Sequence, residues 1–212
     1  MRRVVLAMAL LSLVSIIGLA FAEQAPKSGA AMGETMMMPK PGPESLALDK
    51  FFGTGCSWTG NVPAGAMGPD SKAMTSHGKM TCHPLFGGMW YSCDVEDAMG
   101  AGKQAMTWKG HVVVGYDMGT KTYHAMCMDN MGMMMTYNGM LDGDKFVLET
   151  PKEVMMMGQM MKDRLTWEMA GETMKFMDEH QVGGGDWTVA ESAAIKRAKS
   201  GGMKGQSTAM KP

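Results

Sequence analysis

Short runs of alternating apolar and polar residues, separated by turn signals, constrain the fold of this chain more than any other feature. Val112, Val114 and Tyr116 share one face of an extended run, and Tyr123 and Cys127 share a face of the next. Alternation with a period of two indicates strands with one buried side and one solvent-facing side. Segments rich in glycine, proline and aspartate separate the runs and are typical of turns.

The same pattern recurs along most of the chain and predicts roughly ten strands. The predicted strands cover residues 54–61, 73–82, 89–96, 105–116, 122–129, 133–141, 145–150, 164–169, 173–178 and 186–191. Helix-favouring residues at 190–198 leave helix or strand open there. Consecutive antiparallel strands must protect their edges, and closure into a barrel does so. We therefore expect an all-β antiparallel barrel, preceded by one or two helical turns within residues 44–52.

The start of the sequence has the pattern of a secretory signal peptide. A basic start and an apolar run end in Ala20-Phe21-Ala22, a small-x-small cleavage site. We expect the protein to be exported, to the periplasm or the cell exterior, with no stable membrane insertion after cleavage. The predicted organisation is a signal peptide (1–22), a disordered tether rich in Met and Pro (23–43), the barrel domain (44–191) and a flexible C-terminal tail (192–212).

Four segments of the chain carry a family resemblance. They are Met38-Pro39-Lys40-Pro41-Gly42-Pro43-Glu44, Leu85-Phe86-Gly87-Gly88-Met89-Trp90, Gly115-Tyr116-Asp117 and Asp129-Asn130-Met131-Gly132. Together they resemble domain of unknown function 1579, a lipocalin-like or calycin-like group of bacterial proteins. The chain departs from that pattern at Ser45, where the family often has histidine, and in the stretched segment before Trp58. The resemblance implies a barrel and implies no established reaction.

Charge and motifs argue against two classes of function. The formal net charge is −1, and basic residues form no patch with interleaved aromatics, so we expect no nucleic-acid partner. A Gly-x-Ser-x-Gly elbow, a phosphate-binding loop and a His-Glu-x-x-His motif are all absent from the sequence, so we expect no catalysis. Asp94-Val95-Glu96-Asp97 is interpreted as a solvated loop. The oligomeric state is left open.

Cysteines are candidates for disulfides because an exported chain meets oxidising conditions. If Gly87-Gly88 forms a two-residue turn, Cys82 lies directly opposite Cys93 and close enough to bridge. Pro84 argues against this register, since it lacks the N–H that the strand ladder uses. Both outcomes stay open, and Cys56 with Cys127 is the remaining pair.

Aromatic residues predict an internal ligand cavity. The candidates for its lining are Trp58, Trp90, Trp108, Tyr116, Tyr123 and Trp167. Barrels of this size hold one small ligand, although the same rings would also serve simply as core. Arg164 and Asn130 are candidates to orient a ligand; Arg164 pairing with Asp129 or Glu168, and Asn130 holding a turn, are the structural alternatives. The leading hypothesis is binding of a small apolar or amphipathic molecule.

Methionine accounts for 30 of the 212 residues. Thioether sulfur is a soft ligand that selects copper(I), and methionine also fills irregular cores and adaptable cavities. A copper(I) alternative would use an exposed sulfur cluster, with Met155, Met156, Met157, Met160, Met161 and His124 as candidates. Haem is a further alternative, through His111, His124 or His180. No His and Cys spacing fits a dedicated zinc site.

Overall fold

The computed structural model describes residues 39–102 and 105–197. The predicted signal peptide, most of the predicted tether and residues 198–212 lie outside the described residues. Within the described ranges, none of the helices has the length and apolar character that crossing a bilayer requires.

Two short helices precede a series of strands, as the pattern of alternation and turns predicts. The helices are α1 (Pro43–Ala47) and α2 (Asp49–Phe52). The strands are β1 (Cys56–Val62), β2 (Met74–Leu85), β3 (Trp90–Met99), β4 (Met106–Asp117), β5 (Thr122–Asp129), β6 (Met134–Asp142), β7 (Lys145–Glu149), β8 (Val154–Met156), β9 (Gln159–Ala170), β10 (Thr173–Val182) and β11 (Trp187–Arg197).

The strands close into an antiparallel barrel. The hydrogen-bonded order runs β10-β11-β1-β2-β3-β4-β5-β6-β7-β9, and the additional pairing of β9 with β10 completes the ring. Every pairing is antiparallel, and the short β8 pairs with β9 alone. A closed antiparallel barrel of about ten strands with a short N-terminal helix confirms the fold predicted from the sequence.

Several strands extend beyond their predicted ends, β3 to Met99 and β10 to Val182 among them, and two segments differ in kind. The predicted barrel ended at Glu191, whereas β11 continues to Arg197 in register with β1, so this segment is strand and not helix. The segment expected to be an exposed methionine loop is instead the β8–β9 hairpin, with Met155 opposite Met160 and Met161 buried. Consecutive methionines are all apolar, so a period of two is invisible in them.

The helical segment closes one end of the barrel, where the β2–β3, β4–β5 and β6–β7 turns lie. Phe52 is buried and packs edge-on against Phe146 and Trp167, with ring centroids 5.8 and 5.7 Å away. The Lys50 ammonium donates a hydrogen bond of 3.0 Å to the Asp144 carboxylate in the β6–β7 turn. Aromatic packing and turn contacts together fix the helices as a plug.

A disulfide joins β2 to β3. Cys82 faces Cys93 in the register that the Gly87-Gly88 turn predicts, and the two are bonded with a Cα–Cα distance of 4.0 Å. That narrow spacing marks a pair without backbone hydrogen bonds, and Pro84, two residues on, belongs to the same type of pair. The Pro84 nitrogen therefore points away from β3, toward the side of β2 on which β1 lies. The pairing of β1 with β2 ends at Met80, so no strand among the described residues faces Pro84 on that side. The bridge is confirmed, and the proline costs no ladder bond.

The other two cysteines are buried and unpaired, which corrects the expected second bridge. Cys56 lies on β1 and Cys127 on β5, and three strands separate them in the sheet. Burial raises the pKa of Cys56 to about 11 and that of Cys127 to about 12, so both remain protonated thiols near neutral pH.

Candidate functional site

The barrel interior contains a cavity of about 290 Å³. This volume is just below the usual range for small-molecule sites, about 300–1,000 Å³. Its walls are largely apolar and aromatic, and Phe52 of the plug reaches it from the closed end. Methionines from the loops and strand ends at the opposite end also line it: Met67, Met99, Met106, Met131, Met133, Met156 and Met157.

Glycines make room for the tryptophans of this cavity. Gly78 on β2 faces Trp58 on β1, and a Cβ atom at Gly78 would lie 1.9 Å from the Trp58 ring. A Cβ at Gly110 would lie 2.4 Å from the Trp108 ring. Flat rings therefore lie directly over glycine backbone, an arrangement that any larger residue would block.

Three of the predicted ligand residues line the cavity, namely Trp58, Trp108 and Trp167. Tyr116 and Tyr123 point into the barrel but pack against each other near the plug, with ring centroids 5.0 Å apart. The Tyr123 hydroxyl donates to the backbone carbonyl of the α1 residue Glu44 at 3.2 Å, which attaches α1 to the barrel wall.

Two other candidates lie outside the cavity. Trp90 is on the opposite face of β3 from the buried Tyr91. The Arg164 guanidinium pairs with the Glu179 carboxylate at 2.9 Å, in place of either partner considered from the sequence, and stacks over the Trp187 ring at 4.0 Å. Its position on β9 alternates with the cavity residue Leu165, so it faces outward.

Asn130 is outside the cavity as well and holds the β5–β6 turn. The Asp129 Oδ1 atom accepts hydrogen bonds from the backbone N–H groups of Met131 and Met133 at 3.0 and 2.9 Å. The Asn130 Oδ1 atom accepts from the Lys109 N–H at 3.0 Å. These bonds confirm the structural interpretation of the Asp-Asn pair as a turn fixed by side-chain-to-backbone contacts.

A cluster of ionisable side chains that was not predicted from the sequence lies in the cavity wall. Asp178 and His180 are two residues apart on β10, and Asp163 on β9 is directly opposite His180. The His180 Nε2 atom lies 3.9 Å from Asp163 Oδ1 and 3.5 Å from Asp178 Oδ1. The Tyr137 hydroxyl donates to Asp163 Oδ2 at 2.6 Å.

Two further carboxyl groups extend this cluster. Glu191 on β11 is opposite Asp178 in the sheet and accepts a hydrogen bond from the Ser76 hydroxyl. Asp97 is 4% exposed, and burial together with the neighbouring Glu191 charge raises its pKa to about 7. Within residues 39–102 and 105–197, the cavity lining includes these carboxyl groups and the His180 imidazole but no lysine or arginine.

Burial controls protonation in the cluster. It raises the pKa of Asp178 well above its ordinary value, and the Asp163 charge raises it further. Burial lowers the pKa of His180, against the opposing effect of Asp163. The imidazole is therefore kept neutral, and a cation beside Asp163 and Asp178 would oppose the effects that raise the Asp178 pKa.

A detectable signal for these residues exists in the sequence. Asp97 alternates in phase with Val95 and Met99, and Asp163 alternates in phase with Leu165. An acidic residue in phase with a buried series faces the interior of a barrel. The interpretation of residues 94–97 as a solvated loop is therefore wrong, since all four belong to β3.

The metal and haem candidates are dispersed. His124 contacts Thr120 and Asp117 at a hairpin turn. The His111 Nδ1 atom lies 2.8 Å from the Asp94 carboxylate, outside the cavity. Of the three haem candidates, His180 is the one that lines the cavity. The methionines of 155–161 also differ in their surroundings: Met156 and Met157 line the cavity, Met155, Met157 and Met160 are exposed, and Met161 is buried.

Comparison with known proteins identifies a similar solved structure and a matching family model. It is similar in structure to the crystal structure of Rv2717c from M. tuberculosis, with 11% sequence identity, a TM-score of 0.52, and coverage of 76% of this chain and 100% of that chain. At this identity the likeness shows the fold alone. No curated protein matches the chain. A family model described as a protein of unknown function, DUF1579, matches residues 40–197. The resemblance seen in the sequence motifs is thereby confirmed, and the chain belongs to the DUF1579 family.

Proposed function

We propose that the barrel cavity binds a small amphipathic molecule, with an apolar body and a cationic or hydrogen-bond-donating end, and does not act on it chemically. The observation that carries this proposal is a group of buried carboxyl groups set in an otherwise apolar, aromatic lumen. A cation beside these groups favours their ionised form, and ionised carboxylates only accept hydrogen bonds, so the complementary ligand end is a cation or a donor.

The apolar walls supply most of the expected affinity. Each methylene group removed from water contributes about 0.8 kcal/mol. Affinity for a homologous series of alkyl ligands should therefore rise about fourfold per added methylene until the cavity is full. Methionine and tryptophan side chains suit such a series, because Met adapts its shape and Trp provides large flat contact surfaces.

The polar end of the ligand is oriented by different residues from those expected. Arg164 is paired with Glu179 on the barrel exterior, and Asn130 is engaged by backbone groups. Asp163, Asp178 and Glu191 face the lumen instead. A ligand with an ammonium end would meet opposite charge there, whereas a carboxylate end would meet like charge in a poorly solvated site.

Three ligands of equal chain length test the proposal: decylamine, decanol and decanoate, titrated at pH 7.5 and below their micelle concentrations. Quenching or shift of tryptophan fluorescence reports binding, since three of the tryptophans line the cavity. We expect the affinity order amine, alcohol, acid. An order led by decanoate would contradict the proposed charge complementarity, and no binding by any of the three would contradict the lumen as a binding site.

A pair of matched variants localises the binding. Ala125 is buried and lines the cavity, and Ala125→Phe should fill it and weaken decylamine binding at least tenfold. Ala194 lies on the exposed face of β11, and Ala194→Phe adds the same side chain outside the lumen. Equal effects of the two substitutions would place the binding elsewhere.

Export is part of the proposed function: the protein works in the periplasm or outside the cell. The Cys82–Cys93 disulfide supports this, because such bonds persist in oxidising compartments, and so does the signal-peptide pattern of residues 1–22. Mass spectrometry of the protein from fractionated host cells tests it. We expect a mature N-terminus at Glu23 in the exported fraction, and an intact Met1 form in the cytoplasm would refute it.

Copper(I) binding is a second candidate function. The observation in its favour is the set of methionines that line the cavity at the end away from the plug. An anaerobic copper(I) titration tests it with Met99→Leu and Met156→Leu, which line the cavity, against the exposed Met118→Leu and Met140→Leu as controls. Loss confined to the first pair would favour a copper site. Haem through His180 is tested by adding haem, and absence of a Soret band would exclude it.

A further inference from the structure

We propose that Asp163, Asp178 and His180 form a binding site for a divalent first-row transition-metal ion in the wall of the lumen. This inference goes beyond the binding of an organic ligand. A metal ion and an ammonium end would compete for Asp163 and Asp178, so the metal is tested alone, with no amine present. None of the three residues belongs to the copper(I) candidates, and their donor atoms are oxygen and nitrogen.

The spacing of the donor atoms fits a metal ion. The three residues offer ligand atoms that lie within 4.8 Å of one another. The His180 Nε2 atom is 3.5 Å from Asp178 Oδ1 and 3.9 Å from Asp163 Oδ1. A tetrahedral zinc ion with bonds of about 2.0–2.1 Å has ligand atoms about 3.3–3.4 Å apart. Small side-chain movements would therefore bring all three donors to bonding distance.

The carboxylate oxygens nearest the imidazole are the ones without partners. When both carboxyl groups are ionised, Asp163 Oδ1 and Asp178 Oδ1 have no hydrogen-bond partner among the described residues, and Asp163 is 3% exposed. A buried carboxylate oxygen without a partner is costly, which makes such groups rare unless they bind something. Both oxygens face His180 Nε2 and line the lumen, so one cation between the three residues would satisfy them.

Other contacts hold the site in position. The Tyr137 hydroxyl donates to Asp163 Oδ2 at 2.6 Å, which leaves Oδ1 for the metal. The Asp163 backbone N–H donates to Thr150 Oγ1 at 3.0 Å, and the Thr150 N–H donates to the Asp163 carbonyl at 2.9 Å. Partners that orient a ligating carboxylate in this way commonly raise metal affinity 10- to 100-fold. Tyr137 is thus a positioning residue.

The donor set selects the class of metal. Two carboxylates and a neutral imidazole suit zinc and related divalent ions, whereas calcium takes six to eight oxygen ligands. Soft copper(I) prefers sulfur. Three protein ligands leave at least one coordination position toward the lumen, as in open zinc sites.

Cobalt(II) is the spectroscopic probe and zinc the competitor. The disulfide-intact protein is stripped with EDTA, exchanged into chelator-free buffer and titrated with CoCl2, and visible absorption is followed. We expect one ion per chain, d–d bands that added ZnCl2 abolishes, and no thiolate charge-transfer band, because Cys56 and Cys127 are not ligands. Absence of binding, or a thiolate band, would overturn the assignment.

Variants localise the ion. His180→Ala should abolish binding, and Asp178→Asn should weaken it at least tenfold while leaving the metal-free fold intact, since the amide has nearly the shape of the carboxylate. His111→Ala is the matched control, because His111 contacts Asp94 away from the cluster. Tyr137→Phe should weaken binding and preserve the d–d bands. If Asp178→Asn binds cobalt like the wild type with an unchanged circular dichroism spectrum, or if His111→Ala loses the ion, the site is refuted.

Discussion

Replacement of Asp97 by asparagine should stabilise the protein, and the gain should grow with pH. Asp97 is 4% exposed in β3, and its Oδ1 atom has no hydrogen-bond partner among the described residues. Burial, and then the nearby Glu191 charge, raise its pKa from the ordinary 3.8 to about 7. Because the folded pKa lies above the unfolded one, the fold favours the protonated carboxyl. That contribution is complete below about pH 3.8 and is lost as pH rises through about 7.

The size of the effect follows from the gap between the two pKa values. Each pH unit between them costs the folded state about 1.4 kcal/mol relative to the unfolded chain. From pH 5 to pH 8, Asp97 alone therefore removes about 2–3 kcal/mol from the free energy of unfolding. An asparagine amide has no such titration, and its NH2 group can donate to the Glu191 carboxylate in place of the protonated Asp97 carboxyl.

Urea unfolding at pH 5 and pH 8, in EDTA and with the disulfide intact, measures this difference. The free energy of unfolding of Asp97→Asn minus that of wild type should increase by about 2–3 kcal/mol between the two pH values. Asp142→Asn on the exposed β6–β7 hairpin is the control, and its difference should change little. A constant or shrinking difference for Asp97→Asn would refute the assignment of a buried, proton-retaining carboxyl in the lumen.

Three further substitutions test the scaffold. Replacing Cys82 and Cys93 by alanine should lower the free energy of unfolding by about 2–3 kcal/mol, because the unfolded chain is no longer constrained by a loop whose ends are 11 residues apart. Urea unfolding measures this loss. Reduction of the wild-type disulfide should give an equal loss, and an unequal one would contradict the interpretation. Phe51→Ala should lower the free energy of unfolding by about 3–5 kcal/mol, because the Phe51 side chain is 1% exposed in the plug. Leu46 is 56% exposed, and Leu46→Ala should lower it by less than about 0.5 kcal/mol. Similar values for the two substitutions would contradict the packing of the plug. Gly78→Ala should lower the melting temperature and alter near-ultraviolet circular dichroism, because its methyl group meets a tryptophan ring; an unchanged spectrum would contradict that contact.

Much of the fold follows from local chemistry. Alternation identified the faces of β4 and β5, and the Gly87-Gly88 turn set the register that brings Cys82 to Cys93. The prediction of a loop at residues 155–161 was wrong, because a run of apolar residues shows no alternation that would indicate a strand. The end of β11 was missed because residues with good helix propensity were held in a strand by pairing with β1, a contact distant in sequence.

The site was only partly predictable, because alternation shows which face of a strand a residue occupies but not how far along the barrel axis it lies. Trp108 and Tyr116 lie on the same face of β4, yet eight residues of strand separate them by about 26 Å. The first therefore lines the cavity and the second packs at the plug. The ionisable cluster depends on the closure of the ring, because it combines Asp163 from β9 with Asp178 and His180 from β10, and β11 adds Glu191. Sequence alternation shows that each faces inward and does not show that they meet.

Methionine methyl NMR with decylamine tests the central claim most directly, namely that the barrel holds a small molecule in its lumen. The protein is labelled with ¹³C at the methionine methyl groups, and spectra are recorded during the titration. We predict shifts and intermolecular contacts at Met80, Met99 and Met135, which line the cavity, and none at Met118 and Met140, which are 57% and 64% exposed. Shifts confined to the exposed methyl groups, or none at saturating amine, would contradict the account.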